Sequence, residues 1–138
     1  MREKVFVDSD IVYDLLARRE PFYAYAASLF TLAEQGKIEV CISALTMANV
    51  HYLLSRQLSA SEARSILSRF RLLVTVLPLD EKCIDLALNA DFRDFEDAIQ
   101  HFTALIHKVP VIITRNLKDY KSSLLPVMSA EEFVKGIH

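Results

Sequence analysis

The chain has 138 residues, the length of one ordinary domain, and its 52% apolar and 25% charged residues are the balance of a globular protein. Only 2 Gly and 4 Pro punctuate it, which argues against disorder, and no apolar run nears the roughly 20 residues that span a bilayer. A net charge of -2 argues against holding nucleic acid by charge alone, although it leaves room for a local basic rim around an acidic centre.

The first ten residues, MREKVFVDSD, hold no signal-like apolar stretch, so a cytoplasmic location is expected. Val5, Phe6 and Val7 form a strand-like run that stops abruptly at Asp8. Residues 10–18 and 21–35 read as two helices, with Gly36 as the C-terminal stop of the second. Residues 38–42 read as a strand and 45–56 as a helix. Ser59 to Glu62 is a capping box, and it opens a helix in which Ala63, Ile66, Leu67, Phe70 and Leu73 recur at helical spacing. Residues 72–77 form a third strand, and Ile84, Ala87 and Leu88 mark another helix. The most regular apolar spacing is Phe95, Ala98, Ile99, Phe102, Leu105 and Ile106. The cleanest strand is 109–114, with Pro110 near its start. A weaker run, 124–128, contains Pro126 and suits an edge strand. Ser129 begins a last helix through Phe133 and Val134.

No linker or repeat divides the chain, so residues 1–138 are read as a single domain. The strand runs are unbroken rather than alternating, as in a parallel sheet buried on both faces. Strands separated by one or two helices imply right-handed crossovers and an α/β fold: a three-layer α/β/α sandwich with a central, mostly parallel, four- to five-stranded sheet. In such sheets the working site lies beyond the carboxyl ends of the strands. Cys41 and Cys83 are too few for a disulfide framework or a cysteine zinc site, and both sit in apolar runs as reduced core thiols. His51, His101, His107 and His138 show no zinc-enzyme spacing.

Four acids stand out by position. Asp8 follows the first strand, Asp119 lies just beyond the fourth, and Asp94 and Asp97 open the most regular helix. At 100° per residue, Asp94, Asp97 and His101 fall within about 60° of one another, whereas Glu96 points elsewhere. Each acid taken alone is also a good helix cap. Taken together at strand ends, they would repel one another unless a cation lay between them, and Mg²⁺ or Mn²⁺ takes oxygen ligands of this kind.

The ordered segments Val5 to Leu16, Ile42 to Asn49, Asp94 to Gln100 and Ile113 to Tyr120 resemble the PIN domain, most of all the small bacterial PIN proteins that include the VapC-type toxins. The resemblance covers nearly the whole chain. It implies an α/β/α sandwich with a Mg²⁺- or Mn²⁺-dependent ribonuclease site, an RNA substrate, frequent homodimers and, for the toxins, a small antitoxin partner. Asp8, Asp97 and Asp119 match the family's metal-holding acids, with Thr114 and Asn116 in the same loop. Asn49 stands where the family's second acid is expected and offers a neutral carbonyl oxygen instead. Asp10 stands where the first motif usually has Asn, which returns some of the missing charge. One metal ion is then the expectation. Arg115, Lys118 and Lys121 flank Asp119 as candidate phosphate contacts. Surplus apolar residues on the aromatic helix around Phe22, Tyr23, Tyr25, Leu29 and Phe30, or at Tyr52, Leu53 and Leu54, would serve a dimer or antitoxin interface.

Two alternatives compete. One is a PIN-fold RNA- or partner-binding protein whose metal site has degenerated at Asn49. The other is a haloacid-dehalogenase-like phosphatase, with Asp8 as nucleophile and Asp10 as general acid. That family needs a later Lys and an acidic pair after a following strand. Here the pair Asp94 and Asp97 precedes the Thr114 strand end.

Overall fold

The protein is described by a computed structural model covering residues 2–136, so His138 lies outside the described residues. Five strands, β1 (Glu3–Val7), β2 (Ile38–Ser43), β3 (Val74–Leu77), β4 (Ile112–Ile113) and β5 (Val127–Met128), form one parallel sheet in the order β3-β2-β1-β4-β5. Strand order reverses beside β1, because the chain first builds outward through β2 and β3 and then returns to the other edge of β1. Seven helices cover the sheet: α1 (Ser9–Leu16), α2 (Tyr23–Glu34), α3 (Ala44–Gln57), α4 (Ala60–Phe70), α5 (Glu81–Leu88), α6 (Phe95–Ile106) and α7 (Ala130–Gly136). This is the expected sandwich.

The strands are apolar throughout because both faces are covered. Val5, Val7, Val40, Ile42 and Ile113 pack with residues of α1, α2, α3, α4 and α7. Phe6, Cys41 and Ile112 face the other way, onto the layer that holds α6. Cys41 and Cys83 are both buried and free. Burial, followed by the Glu39 carboxylate, raises the Cys41 thiol to about 11, so it stays protonated and unreactive.

Local chemistry sets the helix ends. Ser59 accepts the Glu62 backbone N–H at 3.1 Å, while its own hydroxyl donates to the Glu62 carboxylate. Ser129 and Glu132 form a fully reciprocal capping box ahead of α7. Gly36 has φ 74°, the left-handed conformation that ends α2, and its N–H reaches back to the carbonyl of Ala33.

Three expectations are corrected. Residues 71–73 form a 3₁₀ turn with Leu72 85% exposed, so the third strand begins only at Val74. Of 109–114, only Ile112–Ile113 pairs as a strand: Pro110 has no N–H to offer, and the neighbouring β5 is equally short. The third correction concerns α6. Phe95, the first residue of the expected apolar stripe, is 45% exposed, whereas Asp97, Gln100, His101 and Thr103 are buried. Asp97 and Gln100 are turned toward the site described next, whereas His101 and Thr103 bond Leu124 and Cys83 beside the buried Ala98, Ile99 and Ala104. Leu54, grouped by sequence with Tyr52 and Leu53, is buried in the core.

Candidate active site

A cleft of about 530 Å³ opens beside the switch in strand order, and Asp8, Asp10, Asp94, Asp97 and Asp119 all line it. Asp8 follows directly on β1 and caps α1. Its Oδ1 accepts the Ser9 N–H at 2.7 Å, and its Oδ2 accepts the Thr114 hydroxyl at 2.8 Å and the Tyr120 hydroxyl at 3.0 Å. Burial raises the Asp8 carboxyl above its ordinary value, and these three donors pull it back down. Burial, then the Asp8 and Asp97 carboxylates, pushes Tyr120 upward, so its phenol remains a donor.

Asp10 lies in the first turn of α1. Its Oδ2 accepts the backbone N–H of Arg115 at 3.1 Å, while its buried Oδ1 has no protein partner. Burial and then the Asp8 charge push it to about 7. Asp94 caps α6, accepting the Asp97 N–H at 3.0 Å. Its cap role is therefore real, and it still faces the cleft. Asp97 is pushed to about 7 by burial first, then by the charges of Asp8, Asp94, Asp119 and Asp10. That list is the electrostatic signature of carboxylates sharing one hollow. Asp119, in a 3₁₀ turn at Leu117–Tyr120, completes the lining.

One buried polar cluster ties together three elements that border the cleft. Gln100 Nε2 donates to Ser9 Oγ at 3.0 Å and to Thr46 Oγ1 at 2.9 Å, joining α6 to the starts of α1 and α3. Its Oε1 is buried without a partner beside the cleft. Gln100 belongs to the Asp94–Gln100 motif and lies one turn beyond Asp97 on the same face, which is the signal that could have marked it.

Several sequence expectations change here. Thr114 is fully buried with its hydroxyl on Asp8, so it orients an acid and is closed to substrate. Arg115 does not reach into the cleft. Its guanidinium makes a bidentate pair with the buried Asp14, at 2.6 and 3.2 Å, and stacks on Phe22 at 3.9 Å. A carboxylate with 1% side-chain exposure needs such a partner, and that need wins over phosphate binding. Lys118 lies outside this cleft and lines a neighbouring one. Asn116 does line the acidic cleft. Glu96 was expected to point away. It too lines the cleft, and Asn49 Nδ2 donates to its carboxylate at 3.4 Å, because a long side chain in the first turn of α6 can reach across the rim. Arg19 is the residue of the lining that carries a fixed positive charge, and nothing in its spacing announced it.

The donor set is entirely oxygen, which suits a hard cation, and the orphaned oxygens of Asp10 and Gln100 leave acceptors to satisfy. Among the described residues, no three His, Cys, Asp or Glu side chains stand ready around one point. The fit is therefore to an ion held by one or two carboxylates and otherwise by water, the usual habit of Mg²⁺. Among the described residues no lysine lines the cleft, whereas the phosphatase alternative requires one there.

Comparison with known proteins bears on the family and the fold. The PIN domain profile matches residues 4–118. Ribonuclease VapC1 of Aquifex aeolicus (strain VF5) is 26% identical over 136 residues, covering 95% of this chain and 93% of that protein. VapBC2 from Rickettsia felis, solved bound to a DNA fragment from its promoter, matches with TM-score 0.69 and 16% identity over 91% of this chain and 97% of that one. VapC20 of Mycobacterium tuberculosis, a sarcin-ricin loop cleaving toxin, matches with TM-score 0.62 and 18% identity over 78% of this chain and 86% of that one. The two structural matches, at such low identity, speak to the fold, and the fold is the one described above.

Proposed function

Because the chain belongs to the PIN domain family, we propose that it is an endoribonuclease that hydrolyses RNA phosphodiesters with Mg²⁺ or Mn²⁺, acting in the cytoplasm as the toxin of a toxin–antitoxin pair. The observation that carries this reading is the convergence of Asp8, Asp97 and Asp119 on one cleft, where burial first and then the charges of its acidic neighbours raise Asp97 to about 7. The similarity to a ribonuclease along nearly the whole chain supports the reaction. Likeness to VapBC complexes supports the antitoxin partner.

A divalent ion in the cleft would lower the pKa of a bound water and stabilise charge on the phosphoryl oxygens. One or two of Asp8, Asp97 and Asp119 would hold it directly and the others through water, with the orientation of Asp8 set by Ser9, Thr114 and Tyr120. Asp10 adds charge from the first turn of α1 and presents an unpartnered oxygen. Exposed Tyr52 and Leu53 on α3, with Phe22 and Tyr25 near α2, are the surfaces assigned to the antitoxin or to a second copy in a homodimer.

The test compares RNA cleavage by the wild type with that by Asp97→Asn in Mg²⁺ and in Mn²⁺, alongside Mn²⁺ calorimetry. A loss of about 10²-fold or more in the variant is expected, the scale of removing one preorganised electrostatic group. Equal cleavage by both proteins rejects the assignment. A second reading draws on Asn49 and on the absence of a ready three-ligand cluster among the described residues. It is a PIN-fold RNA- or partner-binding protein without catalysis, and it predicts no Mn²⁺ heat at all.

A further inference from the structure

Beside the acidic cleft lies a second one of about 270 Å³, lined by Asp91, Phe92, Arg93, Lys118, Asp119, Lys121 and Ser122. Asp119 belongs to both, so the two hollows adjoin at the 3₁₀ turn that carries it. Their charges differ. The first gathers carboxylates, whereas the second brings together three cations from two segments that meet only in the fold. None of these three has a carboxylate within ion-pair distance among the described residues, where the ion pairs involve Arg2, Arg19, Arg115 and Lys135.

The floor of this second cleft is aromatic and firmly held. The Phe92 ring sits 5.0 Å from His101, 5.9 Å from Tyr120 and 6.3 Å from Phe102, yet it remains partly exposed on the cleft side. His101 is itself anchored, with its Nε2 accepting the Leu124 N–H at 3.0 Å. An aromatic face framed by flexible cations is the arrangement by which proteins take hold of single-stranded nucleic acid: the base meets the ring and the phosphates meet the cations. The cleft falls just below the roughly 300–1,000 Å³ of small-molecule pockets, a size for one unit of a chain.

We propose that this second cleft is a nucleotide subsite that binds the unpaired RNA segment next to the cleavage point, its phosphates held by Arg93, Lys118 and Lys121 and its base set against Phe92. This inference rests on the ribonuclease reading and adds to it the conformation of the substrate. Asp119, shared by both clefts, sets the register, so the bond cut is the one bordering the bound nucleotide. Asp91 and Asp119 keep the subsite from being a general anion trap, because a lone small anion meets their charge as well as that of the cations.

The test measures binding of a short, mixed-sequence, single-stranded RNA by fluorescence anisotropy, in EDTA so that nothing is cut, across a salt series. Arg93, Lys118 and Lys121 are all exposed, so the triple variant R93Q/K118Q/K121Q keeps its fold. It should bind about 10- to 100-fold more weakly at low salt. The slope of log affinity against log salt should fall by about 2, since each neutralised phosphate on a single strand contributes roughly 0.7. Phe92→Leu, checked for an unchanged melting temperature, should weaken binding about tenfold with the salt slope intact, as loss of one base–ring contact does. Blunt duplex RNA should bind wild type and triple variant alike. Unchanged affinity and slope in the triple variant overturn the subsite while a cleaving wild type leaves the nuclease reading standing. A wild type that neither binds nor cleaves RNA overturns both.

Discussion

Asp10 and Asp14 sit one turn apart on α1, and they live in opposite electrostatic worlds. Asp14 is enclosed, with a bidentate bond from Arg115, a second cation at 3.7 Å in Arg19, and the Phe22 ring covering the Arg115 guanidinium. Asp10 receives from the same Arg115 only a backbone N–H, and one of its oxygens has no partner. The protein thus commits Arg115 and Arg19 to the structural acid, and among the described residues no guanidinium lies within ion-pair distance of Asp8, Asp10 or Asp97. A fold that neutralises one buried carboxylate so thoroughly can neutralise others. Asp8, Asp10 and Asp97 instead face one another, and burial with repulsion among the acids of the cleft raises all three above the ordinary value.

The contrast can be broken most severely on its compensated side. Arg115→Leu leaves the buried Asp14 with only the looser Arg19 pair at 3.7 Å, and should cost about 3 kcal/mol of stability in urea unfolding, the lower end for a broken buried pair. Adding Asp14→Leu to that variant should restore most of the loss, because the stranded charge is gone. A single variant as stable as wild type would show that Asp14 does not depend on its pair.

On the uncompensated side, pH sharpens the difference. Asp97 and Asp10 are raised from the ordinary 3.8 to about 7, so the folded state binds their protons more tightly than the unfolded chain does. Such groups stabilise the fold below the unfolded value and lose that contribution as pH rises through the folded one. The melting temperature of metal-free protein should therefore fall by several degrees between about pH 4 and pH 7, with saturating Mn²⁺ removing the upper part of the decline. A flat profile without metal would mean that the carboxylates are already satisfied. The smallest effect is expected from Asn49→Asp, which adds a charge where an amide now bonds Glu96. It should tighten Mn²⁺ binding by roughly tenfold, about 1.4 kcal/mol, and lower the metal-free melting temperature slightly.

How much of this was legible in the sequence follows the range of the forces involved. The strands before Asp8 and Ser43 and the sandwich itself came from unbroken apolar runs, since burial on both faces leaves that mark. The convergence of Asp8, Asp97 and Asp119 followed from strand ends and helix starts, which are local features. The partners of single side chains were not legible. Arg115 follows a strand end next to the site, as a phosphate contact would, and only the enclosure of Asp14 diverts it. Helical angles placed Glu96 off the site because they describe where a Cβ points and not how far a carboxylate reaches. Gln100 was passed over because an amide in a helix is unremarkable until two hydroxyls from distant segments arrive at its nitrogen.

The double duty of Asp8 has a practical consequence for anyone wanting an inert bait. Two hydroxyls and the first N–H of α1 all donate to it, so an amide there would turn its own hydrogens toward at least one of those donors, and a lost cap alone costs about 0.5–2 kcal/mol. Asp119 makes no side-chain hydrogen bond among the described residues, so Asp119→Asn leaves every strand end and helix start as it was. Under the proposed function, it is the form with which to fish for a partner or to trap an uncut transcript.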